Sequence, residues 1–420
     1  MTSVLGQRAP ESVGEALARG PIRGPLRLVG PAFVAAIAYV DPGNFATNVA
    51  GGARYGYLLL WVIVVANLMA VLVQYLSSKA GLVTGRSLPE LCRDRYPLPL
   101  RWVLWVQAEA VAMATDLAEF VGAAIALRLL FGWPPLVAGG ATAVATLLLL
   151  GLQQRGVRRF ELAITAFLVV IVAGFAASLA LVDIVPADAL AGLVPRLAGP
   201  ESVLIAVGIV GATVMPHVVY LHSALVTDRV RPADQAEVRA LISYTRIDVT
   251  LAMLTAGAVN VAMLVVAAAA LHGGAAVVTL DDSYRAIGAT LGGLAAGGFA
   301  IALLASGLSS SSVGTMAGQV VMAGFVGRRV PLGVRRLVTI APALLVLWLG
   351  LEPTFVLIVS QVVLSFGIPF ALVPLVHLTS SRDVMGEFVN RRALTVVASG
   401  IAVVVLSANA YLVGLTFGAA

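Results

Sequence analysis

Eleven apolar runs follow one another between residues 28 and 417, and that repetition restricts the fold more than any other feature of the chain. Each is near or above the ~20 residues that cross a bilayer core. Hydrocarbon offers the backbone no hydrogen-bond partner, so a segment in it must satisfy itself, and runs this long do so as helices. Their approximate limits are 28–53, 57–81, 101–127, 135–153, 160–182, 202–225, 242–271, 293–323, 335–350, 354–378 and 393–417. The ninth is the shortest and has Pro342 inside it. Charged residues make up 11% of the chain, against about a quarter in soluble proteins, and no connection between runs is long enough for a soluble domain. The chain is therefore read as an all-α membrane protein, with a flexible cytoplasmic tail over 1–27 and one transmembrane domain over 28–420.

The basic residues test that count. All but four of the 27 fall in alternate connections: the N-tail (Arg8, Arg19, Arg23, Arg27), the Lys79–Arg101 stretch with Arg86, Arg93 and Arg95, and then Arg155, Arg158 and Arg159. The series continues at Arg229, Arg231, Arg239 and Arg246, at Arg328, Arg329, Arg335 and Arg336, and at Arg382, Arg391 and Arg392. Arg54, Arg128, Arg196 and Arg285 stand alone in the intervening connections. Cytoplasmic loops gather Lys and Arg, so the N-terminus is placed in the cytoplasm and, after an odd number of spans, the C-terminus on the extracellular or periplasmic side of the cell membrane. The same placement argues against nucleic acid as a partner for the net charge of +6. The tail lacks a short apolar core with a cleavage site, so the first span is expected to serve as its own insertion signal. Cys92 is the only cysteine, which excludes an internal disulfide and a thiolate cluster, and it reads as a loop thiol in a polar segment.

Two of the runs are interrupted by a proline among polar side chains: Ala38-Tyr39-Val40-Asp41-Pro42-Gly43-Asn44 and Ala212-Thr213-Val214-Met215-Pro216-His217. Proline has no N–H to donate and clashes with the preceding turn. Inside a bilayer the freed carbonyls are tolerated only when buried in protein or lining a cavity. The two prolines lie 174 residues apart, one in each half. Spans one to five (about 28–182) and six to ten (about 202–378) share a rhythm of one broken helix and four unbroken ones. An odd number per set turns the second upside down, which is the inverted-repeat plan of many secondary transporters, with substrate at the breaks and span eleven (about 393–417) as an appendage.

Asp41 and Asn44 are three apart, so their oxygens share one side of a helix or of its unwound turn. With nearby unpaired carbonyls they make an oxygen-rich pocket for a cation. An ordinary kink with a capping Asp is the plainer reading, but it needs no charge at mid-membrane, where an Asp costs at least ~2.5 kcal/mol. Met215, most simply a packing residue, gains meaning from Pro216 beside it. A thioether is a soft donor that transition metals accept, whereas magnesium and calcium favour oxygen. Asp41, Asn44, a carbonyl near Ala212 and the Met215 sulfur thus form a mixed site for a first-row divalent metal. Gln361 in span ten can add an amide oxygen when the site closes. His217 is either a ligand or proton acceptor near the site, or a neutral histidine hydrogen-bonded within the bundle. His222 lines an approach or packs.

Glu109, Asp116 and Glu119 lie on one face of span three. Three acids on one membrane helix mark an ion path or proton relay. Arg335 and Arg336 are their candidate counter-charges, or else topology anchors. Asn260 and the Ser309–Ser312 run are lesser candidates, the serines reading as close-packing residues. Binding a dication at a carboxyl displaces any proton held there, and the acids of span three give it somewhere to go.

Two rival classes remain open on these residues. An amino-acid or sodium symporter of the same architecture would hold a carboxylate substrate at helix N-termini, where Asp41 repels it. A membrane metalloenzyme or sensor would want several converging histidines or a soluble output domain. The chain has four histidines, no H-E-x-x-H pattern and no such domain.

The two motifs resemble the paired signatures of the Nramp divalent-metal transporters, the natural resistance-associated macrophage proteins, and Thr115-Asp116-Leu117-Ala118-Glu119 stands in family-like form. The resemblance covers essentially the whole chain and is of the bacterial manganese-transporter type. It implies a LeuT-like fold of eleven spans with helices one and six unwound, and proton-coupled import of manganese or iron(II). It implies metal contacts from Asp41, Asn44, Met215 and the carbonyl of Ala212, with that of Ala38 in some states. Asp116, Glu119 and the arginines carry over as a proton route. Relatives that carry magnesium or aluminium depart at the methionine of the second motif, which this chain keeps. The metal is cargo, so no cofactor is expected, nor an enzyme activity or an obligate protein partner.

Overall fold

Why the backbone breaks at two of the prolines and not at others is the main lesson of the architecture. The computed structural model describes residues 11–12, 30–154, 157–273, 279–328 and 330–417. The tail expected to be flexible lies outside them apart from Glu11–Ser12 (β1), which pairs in parallel with Val230–Arg231 (β2). The tail arginines, Arg155 and Arg329 also lie outside.

Every interval read as a span carries helix. The first is split into α1 (Pro31–Ala38) and α2 (Pro42–Tyr55), followed by α3 (Leu60–Thr84), a short α4 (Leu88–Arg95), α5 (Leu98–Phe131), α6 (Pro135–Gln154), α7 (Val157–Leu179) and a short α8 (Pro186–Ala191). The sixth is split into α9 (Pro200–Thr213) and α10 (Pro216–Arg229). Then come α11 (Gln235–Leu271), the connecting α12 (Leu280–Leu291), α13 (Gly293–Val326), α14 (Leu332–Trp348), α15 (Pro353–Thr379), the short α16 (Arg382–Met385) and α17 (Arg392–Phe417). Among the described residues eight segments are long and apolar enough to cross a membrane unaided. The three other spans are the broken α1–α2, α6 with its apolar part Pro135–Leu149, and the 17-residue α14. Side chains such as Leu148, Val169, Leu337 and Val396 are widely exposed, which suits lipid rather than water.

Pro342 sits inside α14, and Pro369 and Pro374 inside α15, without ending either helix. Pro42 and Pro216 instead begin new helices. At that first position the missing N–H is one the helix would leave unpaired anyway. Asp41 caps α2 by accepting the Asn44 N–H at 2.7 Å. At Pro42 the sequence supplies a cap beside the proline; before Pro216 the chain leaves the helix at Val214, whose φ of −107° and ψ of 70° are not helical.

Equivalent spans of the two sets pack on each other: α5 on α13, α3 on α11, α2 on α9 and α6 on α14. That is what a pseudo-two-fold axis between inverted repeats requires. The breaks therefore meet at the centre, inside the largest core cluster, which holds Ala38, Val40 and Met215 together.

The polar stretch around Cys92 is not a loop. Glu90 reaches back to the Ser87 N–H at 2.8 Å and starts α4 as a capping box. Cys92 is buried there, and that burial pushes its thiol up, away from reactivity. Lys79, the sole lysine, donates at 2.8 Å to Asn390, which donates in turn to Thr379 at 2.8 Å and so ties α3 to the connection before α17.

Candidate cation site

A proline leaves the carbonyl four residues upstream without its helical donor, and the two breaks do this symmetrically at Ala38 and Ala212. The flanking carbonyls are taken up by other helices. Asn260 on α11 donates to the Tyr39 carbonyl at 2.8 Å, and Ser306 on α13 donates to that of Val40 at 2.5 Å. The unwound turn is thus held open from two sides.

The two breaks touch directly. The side-chain N–H group of Asn44 lies 2.9 Å from Asp41 Oδ1 and 3.0 Å from the carbonyl oxygen of Ala212. Val214 and Met215 link α9 to α10, and Met215 is fully buried. Gln361 of α15 covers the site: its side chain fills the space where a side chain at Gly43 would stand, and its backbone carbonyl lies against Gly211. Asp41, Asn44, Ala212 and Gln361 are therefore brought together and closed off from solvent, and Met215 and Ala38 are buried in the core around the breaks.

Its electrostatics are unfinished. Asp41 Oδ2, Asn44 Oδ1, Thr213 Oγ1, Gln361 Oε1 and His217 Nε2 are all buried without a hydrogen-bond partner. Leaving one such group unmade costs ~1–3 kcal/mol, so the unpaired oxygens of Asp41, Asn44 and Gln361 call for a partner. A cation satisfies them together. Thr115 donates its hydroxyl to the Val111 carbonyl at 3.0 Å, so at 3.3 Å it accepts from His217 Nδ1–H. That leaves a lone pair on His217 Nε2. The histidine is hydrogen-bonded within the bundle and still presents an acceptor.

The acid row of α5 meets the arginines as expected from the sequence. Arg335 pairs with Glu109 at 2.9 Å and Arg336 with Asp116 at 3.5 Å, the latter pair almost wholly buried. Glu119 and Asp116 converge where Gly314 of α13 has no side chain. Both Glu119 oxygens lack a hydrogen-bond partner. Three carboxyls thus face two guanidiniums, and the row is neutral only with one proton aboard. The arginines are partners of the acids and not merely topology anchors.

Several participants were not visible as such in the sequence. Arg336 donates to Ser311 and Thr315, so one member of the serine run carries charge stabilisation, whereas Ser309 bonds back to its own helix at Ala305, 2.6 Å away. Gln74 donates to the Tyr39 hydroxyl and accepts from His222 Nδ1 at 2.7 Å, giving His222 a partner on α3. Asp248 of α11 accepts from the N–H groups of Gly30 and Ala32 at 3.0 and 3.1 Å and so anchors the start of α1. A lone amide or acid in an apolar helix was the only signal for Gln74 and Asp248.

Inverted repeats around two facing helix breaks define a multi-pass membrane protein of the LeuT-like transporter class. Residues 32–415 match the natural resistance-associated macrophage protein-like family, and the chain belongs to that Nramp family. A relative named divalent metal cation transporter MntH, from Deinococcus radiodurans, is 53% identical over 401 residues, which is 95% of this chain and 92% of that one. The manganese transporter of Eremococcus coleocola, solved with an aromatic bis-isothiourea compound, superposes with a TM-score of 0.83 at 32% identity, covering 92% of this chain and 86% of that one. Mhp1, a nucleobase-cation-symport-1 family transporter solved with a hydantoin bound, shares the fold at a TM-score of 0.62 and 18% identity over 96% and 91% of the two chains.

Proposed function

We propose that the protein imports divalent transition-metal ions, manganese, iron(II) and their like, into the cytoplasm together with protons. The observation that carries this reading is the cluster of buried, unpartnered acceptors around Asp41 at the meeting of the two breaks. The names of the Deinococcus relative and the Eremococcus structure point the same way.

In the present arrangement the Asn44 N–H group, held between two oxygens of opposite breaks, stands where a cation would. Metal binding turns that amide so that its oxygen faces inward, and Asp41 and the Ala212 carbonyl are released to the ion. Met215 adds sulfur, which disfavours calcium and magnesium more than it adds affinity. Gln361 supplies its amide oxygen as α15 closes, and the Ala38 carbonyl joins in some states. A dication needs a compensating carboxylate in so dry a place, and Asp41 is the acid the cluster provides. A proton released there can pass to the free acceptor His217 Nε2 and on to the row of Asp116, Glu119 and Glu109, steadied by Arg335 and Arg336. The N-terminus lies in the cytoplasm and the C-terminus outside. The metal is cargo, no resident cofactor or enzymatic step is involved, and neither nucleic acid nor an obligate protein partner is required.

Uptake of radiolabelled manganese into proteoliposomes, with internal pH followed by an enclosed dye, tests this directly. Metal entry with internal acidification is expected. Entry of a labelled amino acid in place of metal would move the protein to the rival symporter class.

A further inference from the structure

The eleventh span lies outside the two repeats, yet α17 packs on α15, α9 and α3 and brings a buried amide to them. Pro369 sits inside α15, so the Ser365 carbonyl, four residues upstream, has lost its helical donor. Asn409 of α17 replaces that donor: its side-chain nitrogen donates to the Ser365 carbonyl at 3.0 Å. The amide is fixed in this orientation, because the Ser365 hydroxyl donates to Asn409 Oδ1 at 2.8 Å. Five residues on, Pro374 frees the Phe370 carbonyl, which accepts from the Tyr220 hydroxyl of α10 at 3.2 Å. The two prolines of α15 are thus tied to different partners, one to a helix outside the repeats and one to half of a broken span.

We propose that Asn409 is a positioning residue for uptake: by holding the carbonyl freed at Pro369, it fixes the course of α15 and with it the place of Gln361 over the cation site. Ser365 is one turn from Gln361 on the same helix face. The backbone between them presses on Gly211 of α9, which has no side chain where the Gln361 carbonyl and the Ser365 nitrogen sit. A change of direction at Pro369 is therefore felt at Gln361. Without the amide, the Ser365 carbonyl is buried and unmade, and the helix relieves it by bending or by admitting water. The requirement comes from the proline, since an alanine at 369 restores the N–H and makes Asn409 dispensable. The role in uptake rests on the metal-transport reading, whereas the brace on α15 does not.

The test is Asn409→Leu, made in the wild type and in Pro369→Ala. In proteoliposomes it is expected to lower the maximal rate of manganese uptake about fivefold, equivalent to ~1 kcal/mol, with KM little changed, and to have little effect once Pro369→Ala is present. A residue that merely packs would lose the same factor in both backgrounds; that result, or no loss in either, overturns the proposal. Amide hydrogen exchange of the purified chain in detergent reads the same cycle without transport. Faster exchange around Ser365 in Asn409→Leu, absent when Pro369→Ala is added, supports the brace, and unchanged exchange overturns it. If Asn409→Leu does not fold, Ser365→Ala, which frees the amide to turn, is expected to show the same pattern more mildly. A wild type that takes up no metal would sink the transport reading, and the exchange cycle would still decide the brace.

Discussion

The centre of this molecule contains two polar regions that differ in how their charge is compensated. Around the breaks, one carboxylate sits among amides, carbonyls, a hydroxyl and a thioether, and most of their acceptor atoms are unpaired. Along α5, three carboxyls meet two arginines and a bed of hydroxyls. The first region lacks positive charge, and the second already holds most of what it needs and is short by about one proton. Keeping them apart lets a dication arrive without being repelled by the guanidiniums. Yet α5 touches both breaks, through Thr115 with His217 and through Gly122, which has no side chain where the ring of Pro42 sits.

The largest effect should come from removing the single charge of the first region. Asp41→Asn keeps the shape and is expected to bring metal uptake and metal-dependent acidification to background in proteoliposomes; uptake at a sizeable fraction of wild type would take Asp41 out of the centre of the site. Arg336→Met strands Asp116, and breaking a buried pair costs ~3–5 kcal/mol, visible as a lowered Tm in detergent. Adding Asp116→Asn should restore much of that loss. Asp116→Asn alone should keep metal binding and blunt the proton current, so an undiminished current would remove the row from the proton route.

Gly43→Ala drives a methyl into the Gln361 side chain. It should slow uptake about tenfold, a ~1.4 kcal/mol effect, while equilibrium metal binding falls less. Wild-type rates would mean that α15 does not close over the site through Gln361. Smallest is the selectivity change. Met215→Ala should retain manganese uptake while admitting calcium about severalfold more readily, and continued exclusion of calcium would assign the discrimination elsewhere.

The spans and the paired breaks were legible because bilayer physics writes them locally. An apolar run and a proline occupy neighbouring positions at each break, with a capping Asp beside Pro42. The main cluster was legible for the same reason, since Asp41–Asn44 and Ala212–Met215 are each one short motif. What could not be read were pairings across the fold. Asn260 caps a carbonyl 221 residues away, Ser306 one 266 away, and Gln74 meets a histidine 148 away. Ser311 looked like Ser309 in sequence, and only the packing of α14 against α13 gives one of them an arginine. Pro369 and Pro374 lie within α15, which runs on through both.

The seat of Pro42 against Gly122 carries a mechanical consequence. A ring lodged in a notch cannot pivot without shoving the helix that bears the notch, so any swing of the first broken span is felt along the carboxyl row as displacement as well as field. A single methyl at residue 122, driven into the Pro42 ring, is enough to jam that swing.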